Sequence, residues 1–259
     1  LRGGAGDDML AGGAGADQLS GGDGVDTIDY STSSVGVAVD LGNDTATGGD
    51  AEGDGFSDVE NIIGTGQDDQ LTGDGEANQL SGRGGDDTLS GGAGADTLIG
   101  DAGDDMLIGG AGGDSLMGGS GVDTISYINA GGGVVIDLDN STASGDIAQG
   151  DTFSGIENII GGGFADTLSG NIMSNQITGG LGDDSLFGSG GSDLLIGGDG
   201  DDVLEGGSGA DDLQGGDGID TLSYENSNAG VTVNLVAGTG VGGHAEGDSY
   251  SDIEIVLGS

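Results

Sequence analysis

Aspartate returns in this chain at intervals of nine residues, inside nearly the same wording each time. In GGAGADTLIG (91–100), Asp96 follows a glycine-rich run and precedes the aliphatic Leu98 by two positions. A carboxylate set among residues that leave the backbone bare can do one kind of chemistry well. The aspartate supplies charge and the close-packed backbone supplies carbonyl oxygens, which together are hard ligands of the kind Ca²⁺ takes six to eight of. Mg²⁺ prefers fewer protein ligands and keeps its water, and Zn²⁺ wants His or Cys. The chain has one His and no Cys.

Composition points the same way. There are 47 acidic residues against 2 basic ones, a formal net charge of −45 over 259 residues. That balance excludes nucleic acid and anionic membrane surfaces as electrostatic partners, and the natural complement is a cation. With 66 Gly, no Trp and 3% aromatic residues, little material exists for a jigsaw-packed enzyme core. No stretch approaches the roughly 20 apolar residues of a membrane span. No charged-then-apolar leader precedes LRGGAGDDML, so the expectation is a fragment or an export signal of another kind.

The elements that must position the aspartates are set by repetition. Seventeen nonapeptides run from Gly3 to Asp29, from Gly64 to Ser126 and from Gly161 to Ser223; all begin with Gly, all have Leu or Ile at position 8, and fifteen have Asp at position 6, the exceptions being Asn78 and Asn175. The single aliphatic, flanked by outward-facing residues, suits a three-residue strand, and the glycines that follow permit a tight turn. One such strand buries nothing alone. Two nonapeptides make a flattened coil of 18 residues, and parallel stacking of coils brings the Asp of unit i beside the turn of unit i+2.

Between the blocks lie 34-residue inserts at 30–63, 127–160 and 224–257, which align without a gap and make the period 97 residues. The expected organisation is a partial roll at 1–29, rolls of seven units at 64–126 and 161–223, the three inserts, and the start of a further block at 258–259. Both ends are expected to cut through a longer tandem array. Val37, Val39 and Leu41, with their counterparts Val134, Ile136, Leu138 and Val231, Val233, Leu235, alternate as in half-buried strands. Each insert is therefore expected either to add wider coils to the solenoid or to form a small β-rich lobe between rolls.

The units read G-G-x-G-x-D-x-U-x, with U apolar, and in this the chain resembles the RTX (repeats-in-toxin) proteins, whose calcium-binding nonapeptide has that pattern. The resemblance covers 153 of the 259 residues. It implies an all-β fold, a parallel β-roll or β-solenoid that is unfolded without Ca²⁺ and folds in calcium-rich surroundings after type I export. The metal ligands it implies are Asp8, Asp17, Asp26, Asp69, Asp87, Asp96, Asp105, Asp114, Asp123, Asp166, Asp184, Asp193, Asp202, Asp211 and Asp220. Pairing i with i+2 gives about eleven ideal Ca²⁺ sites. The first two units of each full block depart from the pattern, with Gln67, Glu76, Phe164 and Met173 at position 4, and read as caps with weak or empty sites.

Other residues carry weaker signals. Asp54, Asp151 and Asp248 could ligate an extra Ca²⁺ with Glu60, Glu157 and Glu254, or could serve turns and caps; DAEGDG (50–55) opens like an EF-hand but its twelfth position is Asn61. Paired acids such as Asp86-Asp87 recur too often to be one active site. His244 aligns with Asp50 and Ile147, which argues against catalysis there. Tyr30, Tyr127 and Tyr224 are expected to plug roll ends. No enzyme is read in this chain. The function expected is a calcium-stiffened structural or interaction segment of a secreted or cell-surface bacterial protein (adhesin stalk, surface layer or filament), with calcium as the partner and cell-surface or self-association partners left open. The alternative is an accessory calcium-dependent secretion and folding module of an enzyme or toxin whose catalytic part lies outside the chain.

Overall fold

In a computed structural model, residues 1–258 are described. They contain many short, mostly parallel strands and no α-helix; the helical turns are three 3₁₀ segments, Gly49–Ala51, Asp146–Ala148 and Gly243–Ala245. The fold is an all-β parallel roll. The chain divides into two compact units, Leu1–Ile125 with Gly150–Ile156, and Ser126–Gln149 with the residues from Glu157 onward.

In the first unit one face stacks Met9–Leu10, Thr27–Asp29, Asn61–Ile63, Gln79–Gly84, Thr97–Ala102, Ser115–Ser120 and Thr152–Ser154 in that order. The opposite face stacks Ala38–Asp40, Gln70–Thr72, Thr88–Ala93 and Met106–Ala111. Register follows the repeat, since Leu80 pairs with Leu98 and Leu98 with Leu116, each 18 residues on. In the second unit Gln176–Leu181, Leu194–Asp199 and Asp212–Asp217 form one face, and Thr167–Ser169, Ser185–Phe187 and Val203–Glu205 the other.

Strands in the block centres are longer than the three residues expected. Thr97–Ala102 spans six, and its burial alternates through Leu98 and Gly100. The reason is that glycine at position 1 continues the inward-facing series without a side chain, so pairing runs on to Asp101 and Ala102.

The interior is a file of single aliphatics. Leu80, Leu89, Leu98 and Leu107 are each 0% exposed. Leu98→Ala is therefore expected to destabilise the calcium-loaded chain by about 3 kcal/mol, the range for a core Leu whose cavity cannot collapse. Urea denaturation in saturating Ca²⁺ checks this, with the exposed Met9→Ala as a control expected to shift stability by less than about 0.5 kcal/mol.

The inserts join the stack by their strands. Ala38–Asp40 pairs antiparallel with Thr45–Thr47 and parallel with Gln70–Thr72 of the following block. Gly55–Ser57 pairs with Gln18–Asp23, and Asn61–Ile63 lies between Thr27–Asp29 and Gln79–Gly84. The second unit repeats the arrangement, with Val135–Asp137 against Thr142–Ser144 and Thr167–Ser169.

Candidate metal centre

Parallel stacking at an 18-residue offset places each position-6 aspartate beside its neighbour in the next coil. Of the fifteen, Asp8 and Asp17 are half-buried and the other thirteen are at most 3% exposed. One oxygen of each of these thirteen carboxylates is used by the fold. The Asp96 N–H donates to Asp114 Oδ1 at 2.9 Å, Asp87 to Asp105 Oδ1 at 2.8 Å, and Asp184 to Asp202 Oδ1 at 2.8 Å. The i to i+2 relation read from the sequence is thus a hydrogen-bonded ladder of carboxylates.

The other oxygen is the chemically important one. Oδ2 of Asp8, Asp26, Asp87, Asp96, Asp105, Asp114, Asp184, Asp193, Asp202, Asp211 and Asp220 is buried and has no hydrogen-bond donor among the described residues. What does face it is more oxygen. A Cβ added to Gly91 would stand 2.3 Å from Asp96 Oδ2 and 2.6 Å from the Gly109 carbonyl oxygen. At Gly197 the corresponding distances are 2.2 Å to Asp202 Oδ2 and 2.4 Å to the Gly215 carbonyl oxygen. Gly91, Gly100, Gly179, Gly188 and Gly197 therefore each keep open a small space walled by a carboxylate oxygen of their own unit and a carbonyl oxygen of unit i+2. A buried carboxylate whose second oxygen has no donor calls for a cation or a proton, and the carboxylate and carbonyl oxygens here fit a hard cation.

Glycine at position 4 serves the same turn differently. Gly103 has φ +138°, and a Cβ there would stand 1.9 Å from the Gly85 carbonyl oxygen one coil away. Successive turns are thereby stacked carbonyl against bare Cα.

Burial works against the ionised form of these carboxylates. Burial holds Asp87, Asp184 and Asp193 up at about 7, and neighbouring carboxylates add to it, Asp69 and Asp105 around Asp87, and Asp211 beside Asp193. Burial likewise raises Asp96, Asp202 and Asp211 to about 6. Desolvation penalises the ionised form, and like charges compound the penalty.

Several features are not visible in the repeat pattern. The position-5 acids form a second ladder of opposite sense, in which Asp86 donates its N–H to Asp68 Oδ1 at 3.0 Å and Asp104 to Asp86 Oδ1 at 2.9 Å. These carboxylates are mainly exposed and brace the backbone. The insert acids do not share a site. Asp54 Oδ1 accepts the Asp17 N–H at 2.8 Å, whereas Glu60 Oε2 accepts the Asp26 N–H at 2.7 Å, so each caps a different column. Asp248 and Glu254 do the same for Asp211 and Asp220, at 3.0 and 2.9 Å.

The first two units of each full block also differ from the rest. Asp69 Oδ2 accepts the Thr65 N–H, Asp166 Oδ2 the Gly162 N–H, and the amides of Asn78 and Asn175 reach carbonyl oxygens, Glu60 O at 2.8 Å and Glu157 O at 2.7 Å. His244 Nδ1 is buried without a hydrogen-bond partner among the described residues, and its backbone N–H is held by Ser227 Oγ at 3.1 Å.

Fold and ladder together define a calcium-binding repeat protein of the β-roll kind. The family model described as the RTX calcium-binding nonapeptide repeat (4 copies) matches residues 1–31, 54–89, 63–98, 90–125, 151–186, 160–195, 169–204 and 187–222, more than half of the chain. The protein belongs to this RTX repeat family, whose repeat is a structural calcium-binding unit. Two of the matches begin at Asp54 and Asp151, inside the inserts, where the strand pairings show the chain re-entering the stack. No curated protein matches the chain. Among the described residues no helix is long and apolar enough to cross a membrane.

Proposed function

We propose that this chain is a calcium-binding structural segment of a secreted or cell-surface bacterial RTX protein, which folds and stiffens as Ca²⁺ enters its turns. The observation that carries the reading is the buried, donorless Oδ2 of the block aspartates facing glycine carbonyl oxygens. In this assignment Asp87, Asp96, Asp105, Asp114, Asp184, Asp193, Asp202, Asp211 and Asp220 hold the metal, with Asp8 and Asp26 in the first block. Bound Ca²⁺ supplies the charge compensation that the fold itself lacks, so binding free energy becomes folding free energy. The chain's own residues set the spacing, since Oδ1 fixes each carboxylate to the next coil and glycine keeps the space beside Oδ2 open. The tandem 97-residue modules support a stalk, surface layer or filament, a role that calls for length and rigidity and no catalysis.

Circular dichroism of metal-stripped chain during a Ca²⁺ titration, with Mg²⁺ at equal ionic strength as control, tests the reading. A cooperative gain of β signal with Ca²⁺ alone is expected. Equal gain with Mg²⁺, or none with either, would show the aspartates to be generic counterion sites.

A further inference from the structure

The acidic ladder is not uniform, and the difference is positional. In the block interiors Oδ2 has no donor, and the same holds for Asp26 and Asp220 just before an insert; within the inserts and in the first two units after them, the protein supplies the donor itself. Asp54 Oδ2 accepts the Tyr30 hydroxyl at 3.1 Å, and Asp248 Oδ2 accepts the Tyr224 hydroxyl at 2.6 Å. In the unit that follows an insert, Asp166 takes the Val134 N–H on Oδ1 at 2.8 Å and the Gly162 N–H on Oδ2 at 2.7 Å. Asp69 is held in the same way by Val37 at 2.7 Å and by Thr65. One unit later, Asn78 replaces the carboxylate altogether: its Oδ1 accepts the Asp74 N–H at 2.8 Å, and its amide donates to Glu60 O at 2.8 Å. Asn175 repeats this with Asn171 and Glu157, at 2.8 and 2.7 Å.

We propose that these rungs, built on Asp54, Asp69, Asn78, Asp166, Asn175 and Asp248, are metal-free clasps, in which a protein N–H or O–H stands where the interior rungs take calcium. The proposal rests on the calcium reading of the interior rungs, and it divides the roll into two kinds of segment. The first two inserts are also apolar, burying Tyr30, Val37, Val39 and Ile62 in one and Tyr127, Val134, Ile136 and Ile159 in the other at 3% exposure or less, whereas a nonapeptide offers one Leu. A segment with its polar groups paired and several large side chains buried folds without help; one with a single Leu per nine residues and an unpaired buried charge does not. The junctions therefore persist without calcium and present ready-made strand edges, Gln70–Thr72 and Gln79–Gly84 among them, on which the block interiors assemble as calcium arrives.

Hydrogen–deuterium exchange on the full chain reads this directly. In calcium-free buffer, amides in 37–80 and 134–177 are expected to exchange at least tenfold more slowly than those in 87–114 and 184–211, and added Ca²⁺ is expected to slow the second group. Tyr30→Phe removes the hydroxyl and should speed exchange around Asp54 in calcium-free buffer while leaving 134–177 slow. Equilibrium dialysis supplies an independent readout, since Asp54→Asn should bind as many calcium ions as the parent chain. Junction amides that exchange as fast as the block interiors without calcium, or a calcium ion lost on Asp54→Asn, would overturn the clasps. Slow junctions beside interiors that calcium does not slow would leave the clasps standing and overturn the calcium reading alone.

Discussion

Replacing Asp96 and Asp114 together by asparagine is expected to have opposite effects with and without calcium. In saturating Ca²⁺ the double variant should bind about two fewer ions, because both residues present a donorless buried Oδ2 in successive coils of one column. An ion held at a hundredfold excess over its Kd contributes about 2.7 kcal/mol, so the loss should approach 5 kcal/mol and loosen the middle block. In calcium-free buffer the sign reverses. Asparagine keeps an oxygen for the ladder and puts an amide donor in place of the bare charge, as Asn78 already does with Glu60 O. The variant should then retain more β signal than the parent chain. A purely structural role for these aspartates predicts destabilisation in both conditions, and unchanged calcium stoichiometry would sink the ligand assignment.

How far this was legible in the sequence depends on the range of the interaction. The nine-residue period, with Leu98 and its equivalents at position 8, dictated strands that bury only by stacking, and the 18-residue register follows from two units per coil. Asp96 was legible as a candidate cation ligand because a carboxylate among glycines lies close to bare backbone, but the N–H that Asn78 donates to its Oδ1 was not. The six-residue strands were not, since they depend on Gly100 continuing the inward face, which reads as a turn signal when strands are judged by side chains alone. The clasps were hidden for another reason. Tyr30 and Asp54 are 24 residues apart, and the hydroxyl reaches the carboxylate only after the insert has folded back through Gly49–Ala51 to pair Gly55–Ser57 with Gln18–Asp23. Asn78 and Asn175 were the local sign, since asparagine for aspartate at a ligand position is a change from charge to donor at nearly constant shape, and their units read from the sequence as caps with weak or empty sites.

Donors at the junctions and bare carboxylates in the interiors share one physical cause. A parallel roll this thin cannot dilute a buried charge in a large core, so each coil must neutralise its own. On the proposed calcium reading, charge compensation by metal makes the interior conditional on its surroundings. Compensation by tyrosine, asparagine or backbone N–H is unconditional and is confined to the places where the register must be set.

Protons should substitute for calcium in the interior, and the pH at which they do so is specific. Burial raises the carboxyls of Asp87, Asp184 and Asp193 to about 7 and those of Asp96, Asp202 and Asp211 to about 6, against an ordinary value of 3.8. A group whose folded value lies above its unfolded value favours the fold when protonated. Its contribution is fully present below the ordinary carboxylate range and is lost as pH rises through 6 to 7. Each tenfold gain in proton affinity on folding corresponds to about 1.4 kcal/mol, so protonation of these groups favours the fold. Calcium-free chain is therefore expected to be expanded at pH 7.5 and to gain β structure on acidification, the gain beginning as pH falls through 7 to 6. The calcium-loaded chain should show the opposite slope, because protons compete with the metal for the same Oδ2 atoms. Circular dichroism on resin-stripped chain from pH 8 to 4, with and without added Ca²⁺, separates this from simple relief of the −45 net charge. Relief of surface repulsion would confine the gain to near pH 4, where exposed aspartates titrate, and the absence of any gain as pH falls through 7 to 6 would mean that the interior carboxylates are not buried in the calcium-free roll.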